Sequence, residues 1–193
     1  MATETSDLLT RAAPRAVAVI RGIADDQLDL PTPCRDYTVR DLANHLFQVV
    51  VNFPALAAKE PVEWADKPDF LADGWRDRFE AECGGLIDAW SEPSAEEGVS
   101  SGMGLPQTTV GTMALLDLTV HAWDLARATG QPFAAEPTVV GVLHGLVEQM
   151  GPRARAMGVF GAAVPAGPDA TEFDRLLCAA GRDPKWTPPA EPH

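Results

Sequence analysis

Two histidines and two aspartates are the residues of this sequence whose types and spacing best suit chemistry. His45 follows an Asp-Leu-Ala-Asn segment, whereas His121 has Asp117 four residues before it and Asp124 three residues after it. Two imidazoles and a carboxylate that reach one point are a typical ligand set for a divalent metal that keeps coordination positions open. The pattern therefore favours a metal-dependent enzyme over a binding module.

These side chains lie on helical stripes that are otherwise apolar. His45 comes three residues after Leu42 and four residues before Val49, which is the spacing of one helix face. On the later helix, a rotation of about 100° per residue keeps both aspartates within about 60° of His121. Buried imidazoles and carboxylates need partners, because burying an isolated charge is costly. One divalent ion would satisfy His45, His121 and Asp117 together.

Each residue also has an ordinary structural explanation, which the sequence alone leaves open. A histidine on an apolar face is most often a core residue held by hydrogen bonds. Asp117 and His121 have the i,i+4 spacing of a simple ion pair. Asp124 could share the metal, or it could pair with Arg127 or Arg40.

Helical periodicity, capping residues and helix breakers predict four long helices, some lesser ones and no strand. Thr38 and Asp41 resemble a capping box at the start of the second helix. Gly130 is expected to end the fourth helix, which Thr108 or Thr109 would cap. The predicted helices cover residues 5–24, 38–59, 69–90, 108–129, 137–150 and 170–180.

The remaining segments are predicted to be irregular. Residues 91–107 are rich in serine, glycine, proline and glutamate and should form a loop, with a short extended stretch at 99–104. Gly151-Pro152 should end the fifth helix, and the tail 188–193 should be frayed. We expect one domain over residues 1–193, in which facing helices of a four-helix bundle bring metal ligands together.

The overall composition excludes several function classes. Of the 193 residues, 46% are hydrophobic and 22% are charged, which is typical of a folded domain with a real core. The formal net charge of −13 would repel phosphate backbones and anionic lipids. We therefore expect no nucleic-acid partner and no membrane partner.

The cysteines indicate a reducing compartment. Cys34, Cys83 and Cys178 are odd in number and contain no CxxC pair, which argues against a disulfide framework and a structural zinc site. Cys34 lies beside Arg35, but a half-buried structural thiol is the simpler interpretation. The N-terminal residues lack the features of a secretory signal, so we expect a cytoplasmic protein.

Two segments of the sequence carry a resemblance to a known family. VRDLANHL at 39–46, followed by DLTVHAWDLA at 117–126, resembles the DinB-like superfamily and, more narrowly, the metal-binding domain of mycothiol-dependent maleylpyruvate isomerase. The closing LLCAAGRDP segment at 176–184 is similar to the end of a largely uncharacterised single-domain branch of that family. The resemblance implies an all-α DinB-like four-helix bundle with additional short C-terminal helices.

The same resemblance implies a metal site and a thiol-dependent activity. The metal ligands would be His45, Asp117 and His121. Zinc is favoured by the ligand types, although nickel, iron and manganese also accept them. Several members use a low-molecular-weight thiol such as mycothiol or bacillithiol, whose thiolate attacks an electrophilic substrate. A thiol-dependent transferase or isomerase-like enzyme is therefore expected.

The sequence departs from the isomerase in two respects, and it leaves other functions open. The isomerase has a glutamate at the position of Asp117, and it has a second, C-terminal domain with an active-site arginine that this chain is expected to lack. Maleylpyruvate isomerisation itself is therefore less expected than metal and thiol binding. A non-catalytic helical ligand-binding or dimerisation module, a homodimer, and a metal-assisted hydrolase that uses the same ligands remain alternatives.

Overall fold

The computed structural model describes residues 2–189, which form α-helices and two short 3-10 helices without a β-strand. The predicted all-α fold is confirmed. The six α-helices are α1 Glu4–Gly22, α2 Val39–Ala57, α3 Trp75–Ser91, α4 Gln107–Thr129, α5 Pro137–Ala156 and α6 Glu172–Ala179. The two 3-10 helices are Asp25–Gln27 and Pro93–Glu96.

Helices α1 to α4 form the predicted four-helix bundle. Both α1 and α2 pack against α3 and α4, so α1 and α2 lie diagonally across the bundle from each other. Helix α5 covers α4 from outside, and α6 packs on α5. Within residues 2–189, no helix combines the length and the apolarity needed to cross a membrane.

Helix α4 packs against α1, α2 and α5, and one glycine on it lets neighbouring side chains come close. A Cβ on Gly111 would lie 2.6 Å from Cγ2 of Thr5 on α1 and 2.9 Å from the ring of Trp90 on α3. Three helices therefore meet at a residue without a side chain. The core around them is aromatic and aliphatic, and its largest fully buried side chains include Trp90, Phe47, Phe53, Phe79, Leu9 and Ile20.

The start of α2 is as predicted, whereas the start of α4 is not. Thr38 Oγ1 accepts a hydrogen bond from the Asp41 N–H at 3.2 Å, and Asp41 accepts one from the Thr38 N–H at 3.0 Å, which completes the capping box. Helix α4 begins at Gln107, so the predicted threonine caps lie inside its first turn. Gln107 is fully buried and donates a hydrogen bond to the Leu56 carbonyl at 2.9 Å, a tertiary contact that local sequence does not reveal.

The prediction that the third helix begins at residue 69 is wrong, because the chain turns at Gly74. That glycine has φ +77°, and α3 starts at the next residue. Phe70 falls within the predicted helix, but it packs from the loop that precedes α3. Its N–H donates to Asn44 Oδ1 at 2.6 Å, and its ring stacks on Phe47 with 5.1 Å between centroids.

Other predicted boundaries also need correction. Helix α5 continues through Gly151 and Pro152 to Ala156, because Pro152 removes only one helical hydrogen bond and the next turn is anchored by Arg155, which donates to the Ala179 carbonyl at 3.1 Å. The extended stretch at 99–104 is only one isolated bridge, between Val99 and Pro106. Part of the predicted frayed tail, residues 190–193, lies outside the described residues.

Candidate metal centre

The structure brings His45, Asp117 and His121 together where α2 packs against α4. Each offers one ligand atom, and these atoms all lie within 4.8 Å of one another. The His45 and His121 rings are perpendicular, with 5.1 Å between centroids. His121 Nε2 lies 3.4 Å from Asp117 Oδ1. The three residues named from the sequence therefore face a common point, although two of them are more than seventy positions from the first.

The cluster lies at the border between core and solvent. The neighbouring α2 residues Leu42 and Leu46 are fully buried, whereas His121 and Asp117 keep 13% and 24% of their side-chain surface exposed. A site that must admit a small molecule needs this partial access. The buried apolar side of α2 fixes the orientation of the helix, and this orientation determines the direction in which its polar side chains point.

The other edge of the His121 ring is held by Asp124. His121 Nδ1 lies 3.1 Å from Asp124 Oδ2, and Asp124 is fully buried. Arg182 donates a second hydrogen bond to the same oxygen at 3.1 Å. His121 therefore has one aspartate at each nitrogen, and Asp124 in turn has a cationic partner.

Asp124 does not pair with the arginines that the sequence suggested. Arg127 donates instead to the carbonyls of Pro184 and Trp186, both at 3.1 Å. Arg40 forms an exposed ion pair with Asp29 at 3.6 Å. Both alternatives are wrong because the chain returns after α6 and brings a different arginine to α4.

The two histidines have opposite electrostatic environments. Burial would lower the pKa of His121, but hydrogen bonds to Asp117 and Asp124 outweigh it and raise that pKa well above its usual value. Burial lowers the pKa of His45, and the nearby Asp117 carboxylate opposes that shift only in part. Without a metal, His121 is therefore the imidazole that holds a proton, and His45 is neutral at pH 7.

Sequence reasoning missed the role of two residues beside the site, Arg182 and Cys34. Arg182 donates to Cys34 Sγ at 3.3 Å, and ligand atoms of Cys34, His121 and Asp124 form a second group within 4.8 Å. Cys34 had been considered with its sequence neighbour Arg35. Arg182 is 148 positions from Cys34, and no local pattern indicates that contact.

A short loop before α2 places an aromatic ring at the edge of the cluster. Tyr37 is 40% exposed, and its ring lies edge-on to His45 with 6.2 Å between centroids. Thr32 Oγ1 donates within the loop to the carbonyls of Cys34 and Tyr37 at 3.0 and 2.9 Å. The loop thus places Cys34 at the Asp124 side of the site and Tyr37 at the solvent side.

His144 and Trp123 lie apart from this chemistry. His144 on α5 contacts the Glu172 carbonyl at 2.9 Å. Trp123 is 6% exposed and packs in the core.

The donor set fits a divalent metal. Two ligands bound tetrahedrally to zinc at about 2.1 Å lie about 3.4 Å apart, and the separation between His121 Nε2 and Asp117 Oδ1 is 3.4 Å. Imidazole and carboxylate suit zinc and other first-row divalent ions. Asp124 holds the remaining nitrogen of His121, which is the usual arrangement around a metal-bound histidine.

Comparisons with known proteins identify the family of this chain. The family model described as mycothiol maleylpyruvate isomerase N-terminal domain matches residues 9–126, a range that contains His45, Asp117 and His121. Two uncharacterized proteins of Mycobacterium tuberculosis, from strains CDC 1551 / Oshkosh and ATCC 25618 / H37Rv, are each 30% identical over 180 residues, covering 89% of this chain and 94% of the relative. No solved structure gives a significant match. The chain belongs to the mycothiol maleylpyruvate isomerase N-terminal domain family.

Proposed function

We propose that this protein binds one divalent metal ion, zinc being favoured, through His45, Asp117 and His121, and acts as a mycothiol-type thiol-dependent transferase or isomerase-like enzyme. The observation that carries the proposal is the convergence of three ligand atoms within 4.8 Å at a partly exposed helix interface. Family membership supports the thiol. The other substrate would be a small electrophile.

The chain's own residues would prepare the site for this chemistry. His45 is neutral at pH 7 and so offers a lone pair without first losing a proton. Asp124 accepts from one nitrogen of His121 and leaves the other directed at Asp117 and His45. A bound divalent ion would lower the pKa of a coordinated thiol and favour the nucleophilic thiolate.

We propose a single domain, because α6 packs on α5 and the segment after α6 contacts α4 through Arg182. We also propose a cytoplasmic location. Three free cysteines, Cys34, Cys83 and Cys178, support a reducing environment.

A thiol-conjugation assay tests the activity. Zinc-loaded protein is mixed with chlorodinitrobenzene and mycothiol, bacillithiol, glutathione or no thiol. We expect turnover that needs a thiol and is lost after chelation and in His121→Ala. His144→Ala is the matched control, because it removes an imidazole that lies on α5 outside the site, and it should retain activity.

Two outcomes would contradict the proposal. Turnover of an ester or amide by the zinc-loaded protein without any thiol would indicate metal-assisted hydrolysis. Zinc binding without turnover by any thiol, across a panel of electrophiles, would indicate a non-catalytic ligand-binding or dimerisation module.

A further inference from the structure

The buried guanidinium of Arg182 connects the C-terminal segment to the metal centre. The side chain is 7% exposed. Its Nη2 donates to Asp124 Oδ2 at 3.1 Å and to Cys34 Sγ at 3.3 Å, and its Nη1 donates to the Ala180 carbonyl at 2.9 Å. Arg182 lies outside the residues matched by the family model.

The backbone around Arg182 is built to hold this position. Gly181 has φ +81°, and a Cβ there would lie 2.8 Å from the carbonyl of Gly161. The Arg182 N–H donates to the Leu177 carbonyl at 2.8 Å. A side chain at position 181 would therefore displace the turn that directs Arg182 inward.

Two overlapping sets of potential metal ligands share His121, and Arg182 contacts only one of them. The first set is His45, Asp117 and His121; the second is Cys34, His121 and Asp124. The guanidinium is a permanent cation that binds both Cys34 and Asp124. A second metal ion at those atoms would have to displace it, because like charges at that distance repel strongly.

We propose that Arg182 is a positioning residue that keeps Cys34 and Asp124 out of the metal's coordination shell. It holds Asp124 as the acceptor for His121 Nδ1, so that Nε2 faces His45 and Asp117. The metal is then bound by nitrogen and oxygen, without sulfur from the protein. This inference rests on the proposed function, since it takes the His45, Asp117 and His121 set as the metal site.

Cobalt substitution tests the inference through the ligand set itself, because cobalt bound to a thiolate gives a charge-transfer band in the near ultraviolet. Wild-type protein loaded with cobalt should lack this thiolate band, which we call the sulfur band. Arg182→Ala should gain it, and Arg182→Ala with Cys34→Ser should lose it again. Zinc affinity in Arg182→Ala should fall about 10- to 100-fold, which is typical when the partner of a metal-bound histidine is disturbed.

Two further variants separate the guanidinium from general loosening of the segment. Arg182→Lys keeps the positive charge and should again show no sulfur band. Arg127→Ala removes a different guanidinium, which holds the Pro184 and Trp186 carbonyls of the same segment, and it should resemble the wild type. A sulfur band of equal strength in Arg127→Ala would overturn the specific role of Arg182.

Wild-type protein supplies a test that does not depend on the folding of a variant. Long-range ¹H–¹⁵N spectra of the zinc-loaded protein should show His121 protonated at Nδ1 and bound to metal through Nε2. Metal on Nδ1, or a wild-type cobalt spectrum that changes in Cys34→Ser, would overturn the inference while leaving metal binding intact. Wild-type protein that binds neither metal would overturn the proposed function together with this inference.

Discussion

At the scale of single residues, His121 is the most constrained group in the site. Its two nitrogens lie 3.4 Å from Asp117 and 3.1 Å from Asp124, and these contacts overcome the effect of burial on its pKa. The shared face of Asp117, His121 and Asp124 was predictable from helical spacing, as was the stripe that carries His45. The contact of Arg182 with Asp124 was not predictable, since a contact between α4 and a residue 58 positions later depends on the tertiary fold.

Zinc binding should depend on pH through His121. Without metal, the contacts of protonated His121 with Asp117 and Asp124 stabilise the fold. This stabilisation is complete below the ordinary histidine pKa of about 6.5, and it is lost as the pH rises through the raised pKa of His121. Zinc must displace the same proton, so apparent affinity should rise about tenfold per pH unit within that window. Competition titrations with a chromophoric chelator measure this.

Asp124→Asn is the informative comparison for that titration. The amide still accepts from His121 Nδ1 but lacks the negative charge, so the pH range over which zinc affinity changes should move to lower pH. Because Arg182 loses its buried counter-charge, the free energy of unfolding should also fall by about 3–5 kcal/mol. A zinc affinity independent of pH above about 6.5 in the wild type would contradict this account.

Cys83 should be chemically silent in the folded protein. It is 2% exposed, and burial, with smaller contributions from Glu80 and Glu82, raises its pKa to about 12. The folded state therefore favours the neutral thiol. The resulting contribution to the free energy of unfolding decreases only as the pH rises above the thiol pKa of the unfolded chain, about 8.5, toward 12. Iodoacetamide at about pH 8, followed by mass spectrometry, should label Cys83 only after unfolding, and labelling of native protein at the rate seen in denaturant would contradict this.

At the scale of the elements, α4 is positioned by close packing that its sequence only partly reveals. Its apolar circumference and its final Gly130 were predictable. Its first turn was not, because buried Gln107 is held by the Leu56 carbonyl. The start of α3 was misjudged for a related reason, since Phe70 has helical spacing but packs on Phe47 from a loop. Local pattern predicts helix existence better than helix ends.

Gly111→Ala should destabilise the bundle at this helix. The new methyl group would overlap Thr5 and Trp90, and overpacking of this kind costs about 1–3 kcal/mol. Gly145→Ala on α5 is the matched control, because nothing lies within 4 Å of its Cβ position. It should stabilise by about 0.5–1 kcal/mol, as alanine favours helix over glycine. Urea unfolding that ranks the two variants in the opposite order would contradict the packing described here.

At the scale of the whole molecule, the proposed metal centre combines distant parts of the chain. Helices α2 and α4 of the bundle carry the proposed ligands, and the segment after α6 carries the arginine behind them. The four-helix bundle followed from the number and length of the helices. The return of the chain to α4 could not be predicted, because the helix-breaking residues after α5 and α6 indicate where those helices end but not where the following segment packs.

Metal should stabilise the entire fold if it binds the folded state alone. At a free zinc concentration 100 times the dissociation constant, stability should rise by about 2.7 kcal/mol. For a chain of this size that corresponds to about 5–10 °C in Tm. Calorimetry with and without a chelator measures the shift, and an equal shift in His45→Ala would place the bound ion elsewhere.

Elemental analysis of protein saturated with zinc and then gel-filtered directly measures how many metal ions the His45, Asp117 and His121 site holds. We expect one zinc ion per chain in the wild type and in His144→Ala, and a loss of that zinc in His45→Ala, Asp117→Asn and His121→Ala. Retention of a full equivalent by any of those three variants, or its absence from the wild type, would contradict a metal centre built from these residues.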